Sequence, residues 1–413
     1  VTANVSARAD RVEVPEWNPA DPAFLRDRWT HYRAWRDREP VLEVAGTGRP
    51  TVVLTRHGDV DEVLNDMTAR VTPNGRPEPE HLGDGAAAAM YRVRMVLNDP
   101  PNHTRLRRLA TPAFSSKGVA SLADGIAASV ERRLDQIADE VEVDLVARFA
   151  AFVPAAVMCN ILGIEMEPDG VELISRTADY ANIFSPFPLD AQTFARCEDA
   201  CQWYLDWFEN FIEDRRRRGG SPMVDAMLHA EDDGDRLSTI ELVGLLHAFL
   251  SAGYQTTMST IGAGVYGLLS DRRQYEALRD DPSLVPNAIE EVLRWDAPVH
   301  FARRYLTQPR ELHGKTLEPG TEVLLCLAAA NRDDRVFAEP DVLDVTRKNA
   351  ADHIAFGGGL HLCLGFRLAR LEAGIALERL VRRFPRMQLL DEVPRRRTQL
   401  VFPLVEQLRV RAA

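Results

Sequence analysis

Hydrophobic positions alternate with polar ones near the start of the chain, whereas over most of the remainder they recur every three or four residues. Val41-Leu-Glu-Val44 and Thr51-Val-Val-Leu-Thr55 flank the turn cluster Gly46-Thr-Gly-Arg-Pro50, which predicts a β-hairpin. A short helix is expected from Gly58 to Leu64. The Pro-, Gly- and acid-rich stretch from Thr72 to Gly85 reads as a long loop, and loops of that length often carry function. From about Pro101 to Ser270 the spacing predicts helices over Val119–Ile137, Pro154–Leu162, Ala191–Arg218 and Ser238–Leu269. Ser238 and Glu241 have the spacing of a capping box and open the longest apolar helix. Apolar on most faces, that helix is expected to run buried through the middle of the fold. Glu311–Leu325 returns to strand-like segments around Pro319-Gly320, followed by a helix over Leu364–Phe384 and a β-like stretch at Thr398–Leu404. The pattern predicts a mainly α fold with small β-sheets, β-rich over about 1–65. No repeat or Gly/Ser linker divides residues 1–413, so a single domain is expected.

The chain has 413 residues, 45% hydrophobic and 27% charged, which is enough apolar material for a large core. A net charge of -12 argues against nucleic-acid binding. The arginine runs fit other roles: Arg215–Arg218 ends a helix, where cations suit the dipole, and Arg395–Arg397 reads as a turn. With Lys117, Lys315 and Lys348 the only lysines, composition points to a GC-rich bacterial genome. Neither a signal pattern nor a run of about 18 apolar residues is present, so no membrane association and a cytoplasmic location are expected. Five scattered cysteines do not resemble a disulfide framework, and Cys159, Cys197, Cys201 and Cys326 read as small buried side chains.

Cys363 is different. It lies in Phe356-Gly-Gly-Gly-Leu-His-Leu-Cys-Leu-Gly365, immediately before a helix, where free N–H groups and the dipole are expected to favour a thiolate. Gly357 and Gly359 let the backbone turn tightly and approach a bulky planar ligand. A thiolate so placed suits haem iron, but on the residues alone a redox thiol or a nucleophile fits as well.

The ten-residue string resembles the haem-binding signature of the cytochromes P450 at each defining position. The resemblance implies a haem b (iron protoporphyrin IX) between the long central helix and the Cys-bearing proximal loop. Cys363 would then be the axial ligand of the iron, Phe356 would lie on the sulfur side and His361 would partner a propionate. Three further segments agree with it. Asp99-Pro-Pro-Asn-His-Thr-Arg-Leu-Arg-Arg108 resembles the start of a family helix, in which His103 and Arg107, four apart on one face, would meet the anionic propionates. Arg304, or Arg303 if the alignment slips by one, corresponds to a further propionate arginine. Glu291 and Arg294 match a structural acid–arginine pair, completed in the family by an arginine that here would come from Asn331–Phe337 or Arg347. Arg105 and Arg108 are candidates for a basic docking patch.

The central helix carries Ala252-Gly-Tyr-Gln-Thr-Thr257 where the family has an acid before the threonine. Ala252 and Gly253 would leave room for oxygen, and Thr256 matches the threonine that assists proton delivery. A mid-helix threonine also commonly bonds back to a carbonyl one turn earlier. Gln255 stands in place of the acid, and an amide orients water but cannot donate and reload a proton. The resemblance therefore implies a monooxygenase, most simply a hydroxylase of a small apolar substrate such as a secondary metabolite. Its electrons would come from a ferredoxin and its ferredoxin reductase, since no Gly-x-Gly-x-x-Gly follows a strand. Oxidative coupling or desaturation, a substrate tethered to a carrier protein, a peroxide-driven enzyme and a non-catalytic haem-binding sensor are the alternatives. The substrate pocket is expected from Thr72–Val96, Tyr180–Phe194, Ala248, Phe249, Ala252, Val299–Phe301 and Val401-Phe402. Phe184, Phe187, Phe249, Phe301 and Phe402 point to an apolar ligand.

Overall fold

The structure is a computed structural model and describes residues 14–412 apart from 46, 74–77, 186–187, 230 and 233–234. Phe187 therefore lies outside the described residues. Four strands, β1 (Val41–Val44), β2 (Thr51–Leu54), β3 (Phe301–Tyr305) and β4 (Glu322–Cys326), form a sheet in the order β1-β2-β4-β3. The hairpin pairs Val41 with Leu54 and Val44 with Thr51. β2 then runs parallel to β4, with Thr51 opposite Glu322, and β3 closes the sheet antiparallel, with Phe301 opposite Cys326. β2 and β4 are buried along their whole length, as expected of central strands with apolar side chains on both faces.

Most of the helices lie in the long connection between β2 and β4. Four helices position the site, the last of them beyond β4: α1 (Asn102–Ala110), α2 (Thr239–Ser270), α3 (Val285–Trp295) and α4 (Phe366–Arg383). α2 begins in the expected capping box, in which the Glu241 N–H donates to Ser238 Oγ and the Ser238 N–H donates to Glu241 Oε2. It is buried along most of its length and packs against the helices Phe152–Leu162 and Ala191–Arg218 and against α4. Among the described residues no single helix is long and apolar enough to cross a membrane. Cys159, Cys197, Cys201 and Cys326 are buried free thiols.

Four expectations need correction. The described part of 1–65 is not β-rich: the helices Pro22–Arg26, Arg28–Arg38 and His57–Leu64 outweigh the two short strands of the hairpin. The helix expected over Val119–Ile137 is two, Ser116–Ala120 and Ala123–Ile137. At the break the Ser121 hydroxyl takes the Gly118 carbonyl at 2.7 Å, a local bond that competes with helix continuation. Thr398–Leu404 is not a strand. The pairing falls on either side of it, Arg395–Arg396 against Val405–Gln407, so the first two arginines of 395–397 are ladder residues rather than a turn.

Candidate active site

A cavity of about 430 Å³ separates α2 from the Phe356–Gly365 segment. Gly357 and Gly359 adopt φ of 70° and 60°, in the left-handed region that favours glycine. The turn they make brings the Cys363 N–H to the Phe356 carbonyl at 3.0 Å. A Cβ at Gly359 would stand 2.5 Å from the Leu64 carbonyl oxygen, so the loop is pressed against the end of the helix His57–Leu64. Gly359→Ala is expected to cost about 1–3 kcal/mol, read as a fall in the urea midpoint, because both the dihedral and the backbone contact oppose it.

The Cys363 side chain faces the cavity, with the Gly365 N–H directed at its sulfur. Burial pushes this thiol up, and the Gly365 N–H, Arg107 and Arg370 only partly offset that. The expectation that the helix start alone would favour a thiolate is corrected: desolvation wins, and a cationic metal on the sulfur is what would reverse the balance.

Beside Cys363 four basic side chains converge. His103 and Arg107 come from successive turns of α1, Arg304 from β3 and His361 from the glycine loop. The His103 and His361 rings lie 4.2 Å apart. Neither ring nitrogen of His103, nor Nδ1 of His361, has a hydrogen-bond partner although all three are buried. Burial, then Arg107, pushes His103 down to about 4. Burial, then Arg304 and His103, pushes His361 down to about 3. Burial also lowers Arg304 to about 10. Among the described residues no carboxylate forms an ion pair with Arg107 or Arg304. Arg303, the competitor, points elsewhere, donating to the Tyr91 hydroxyl and pairing with Glu322 at 3.4 Å. Orphaned buried nitrogens and arginines without an ion-paired carboxylate at the edge of an apolar cavity suit an anionic group, and a planar group that carries one. A planar apolar macrocycle with two carboxylates and a central metal is such a group, so these residues fit a haem.

Behind the loop, Glu291 and Arg294 of α3 are both fully buried and joined by bonds of 2.7 and 2.8 Å. The third member is Arg347, whose Nε lies 3.0 Å from Glu291 Oε1. The adjacent Glu290 ties α3 to α4, accepting from Arg370 at 2.6 and 2.7 Å and lying 3.1 Å from His353 Nε2. Arg370 in turn covers the Phe356 ring at 4.6 Å. Burial alone would raise Glu290, but His353 and Arg370 outweigh it and bring it down to about 2. The resulting stabilisation is complete above the unfolded value of 4.5 and is lost as pH falls toward about 2. Urea unfolding across that window is expected to weaken more steeply for the native chain than for Glu290→Gln.

On the opposite wall Ala252 faces the cavity. Gly253 serves packing as well, since a Cβ there would come 2.6 Å from Met158 Sδ. The Thr256 hydroxyl donates to the Ala252 carbonyl at 2.6 Å, the back-bond open to any mid-helix threonine. Gln255 is buried and accepts from Arg397 Nη1 at 3.1 Å, while Arg397 Nε pairs with Glu406 at 3.0 Å. Of the expected pocket, Val96, Tyr180, Phe184, Phe249, Phe301 and Phe402 line the cavity, but Phe194 instead packs into the core. Of the two docking candidates, Arg105 is half-buried and tied to Glu241, and Arg108 is exposed. The expected span Thr72–Val96 contains Arg94 without singling it out, and sequence reasoning missed Ser251, Arg397 and Glu372. Glu372 is a buried α4 carboxyl lining the cavity, and burial pushes it well up. Only the tertiary contacts single these residues out.

Comparison with known proteins agrees with this geometry. The sequence profile of the cytochrome P450 family matches residues 28–403. The steroid C26-monooxygenase of Mycobacterium tuberculosis is 38% identical, with 92% of each chain covered. The 6-deoxyerythronolide B hydroxylase of Saccharopolyspora erythraea is 32% identical, with 92% of this chain and 95% of that one covered. The structure of P450BioI in complex with hexadec-9Z-enoic acid ligated acyl carrier protein superposes with a TM-score of 0.88 at 28% identity, covering 95% of this chain and 99% of that one. Members of the family bind haem and generally take electrons from redox partners. A profile match over most of the length, relatives above 30% identity and a shared fold together show that the chain belongs to the cytochrome P450 family and is a P450 monooxygenase.

Proposed function

We propose that this chain is one P450 domain that binds haem b through Cys363 and hydroxylates a small, largely apolar substrate with electrons from a ferredoxin and its reductase. The observation that carries the reading is the convergence of His103, Arg107, Arg304 and His361, with no carboxylate ion-paired to them among the described residues, beside a cysteine on the same cavity wall. These four would hold the propionates by charge-assisted hydrogen bonds. Cys363 would be the axial ligand, and the glycines would let the loop approach the macrocycle. When bound, haem supplies the iron at which dioxygen is reductively activated.

The chain contributes position, exclusion of water and proton handling. Phe249, Phe301 and Phe402 keep the chamber apolar. Thr256 Oγ holds a proton it now shares with the Ala252 carbonyl, so its lone pairs are open to a water on the cavity side. Gln255, engaged by Arg397, fixes the helix wall without titrating. Proton delivery therefore falls to Thr256 and water.

A carrier-tethered acyl substrate is the second reading, supported by the likeness to P450BioI in its acyl carrier protein complex. The test is reconstitution with haemin, reduction under carbon monoxide, and turnover with ferredoxin and reductase against turnover with hydrogen peroxide. A thiolate-type Soret band and ferredoxin-supported, oxygen-containing products are expected. A band typical of histidine-ligated haem would overturn the ligand assignment. Dehydrogenated or dimeric products would replace hydroxylation by desaturation or coupling.

A further inference from the structure

Arg94 has no role in the reading above, yet it lines the same cavity and is only 4% exposed. It follows the helix Ala86–Arg92, and its Nη1 reaches across to α2, 3.2 Å from both His247 Nδ1 and Ser251 Oγ. Neither contact neutralises it. Ser251 is uncharged, and burial, then Arg94 itself, pushes His247 well below its ordinary value and keeps it neutral. The guanidinium lies against the rings of Tyr180 and Phe184, with centroids at 5.4 and 5.5 Å. Its Nε has no hydrogen-bond partner, and neither has the buried Tyr180 hydroxyl beside it.

Arg303 has Glu322, and Arg107 and Arg304 stand with the histidine pair that fits the haem acids. Arg94 lies instead against Tyr180, Phe184 and α2, and among the described residues no carboxylate pairs with it. A buried guanidinium retained without a counter-charge is costly unless a ligand supplies one. With Nη1 occupied and Nε enclosed by protein, Nη2 is the donor left to a ligand, and it can take a carboxylate oxygen in a charge-assisted hydrogen bond.

We infer that Arg94 is a specificity-determining residue that anchors a carboxylate on the substrate. The inference rests on the reading of this cavity as the substrate chamber. It narrows the substrate to a free carboxylic acid with an apolar body, held at the level of Ser251, about one helical turn (~5 Å) before Gln255 and Thr256 on α2. A carrier-bound acyl thioester lacks that group, so the inference favours a free substrate.

The test is calorimetric and Soret titration of the haem-loaded protein with dodecanoic and phenylbutanoic acids and with their methyl esters. Arg94→Leu and Arg94→Lys are titrated alongside, with phenylimidazole as a ligand that binds through the iron alone. The native protein is expected to bind at least one of the acids at least about tenfold more tightly than its ester. That preference should vanish in Arg94→Leu and return in part in Arg94→Lys, with phenylimidazole binding unchanged in all three. Equal binding of acid and ester, no saturable binding of either acid, or an acid preference that survives in Arg94→Leu would overturn the inference. Failure of phenylimidazole to shift the native Soret band would instead count against the haem assignment.

Discussion

Glu291→Ala is expected to cost about 3–5 kcal/mol, a large part of the stability of a typical domain. Glu291 accepts from Arg294 Nε at 2.7 Å and Nη2 at 2.8 Å, from Arg347 Nε at 3.0 Å and from the Asp344 N–H at 2.9 Å. Arg294 is fully buried and also donates to the carbonyls of Asn331, Pro340 and Val342. Removing the carboxylate leaves two buried guanidinium groups without a counter-charge, and no conformer of Arg294 reaches water without breaking those bonds. Urea unfolding of the haem-free protein measures the effect without involving the ligand. A variant within about 1 kcal/mol of the native chain would show that the network is dispensable to the fold.

Cys363→Ser should have the opposite profile: little change in folding and loss of the chemistry. The side chain is small, it faces the cavity, and a serine oxygen can still accept the Gly365 N–H that now points at the sulfur. Burial already opposes ionisation of the thiol, and it opposes that of a far less acidic hydroxyl more strongly. The thiolate-type band of the reduced carbon monoxide complex should disappear, and oxygenation should fall by at least about a hundredfold. An unchanged spectrum in the serine variant would mean that another residue ligates the iron. The two variants therefore separate what builds the chamber from what operates within it.

How much of this was legible beforehand depended on whether the cause was local. The hairpin at Val41–Leu54 and the long helix from Thr239 follow from alternation, turn residues and a capping box, all of which act within a few residues. The tight turn of the cysteine loop was legible because Gly357 and Gly359 admit left-handed dihedrals, whereas its role came from the resemblance to the family. Arg347 could be narrowed to a region but not chosen, because its bond to Glu291 spans 56 positions. Thr398–Leu404 looked like a strand because its apolar residues line the cavity and core, and apolar spacing does not separate these from a ladder. Arg94 falls within the span Thr72–Val96 expected to line the pocket, but nothing local singled it out there. It sits in a stretch with several arginines, and only its burial against Tyr180, His247 and Ser251 distinguishes it.

The parallel pairing of β2 with β4 has a consequence for how the molecule is made. When the ribosome has finished the hairpin, the strand that will cover its apolar edge, with Glu322 opposite Thr51, has not yet been synthesised. At ordinary elongation rates the wait is roughly 15–55 s, long compared with hairpin formation in microseconds. A lone two-stranded hairpin is marginal in water, so for that interval the nascent chain carries an unpaired apolar strand open to wrong partners or to a chaperone. Of the site residues, His103 emerges early in that interval, whereas His361 and Cys363 follow the covering strand. On the proposed assignment the haem site is complete only once Cys363 has emerged, and expression conditions that slow elongation lengthen the exposure of the edge without bringing that site any nearer completion.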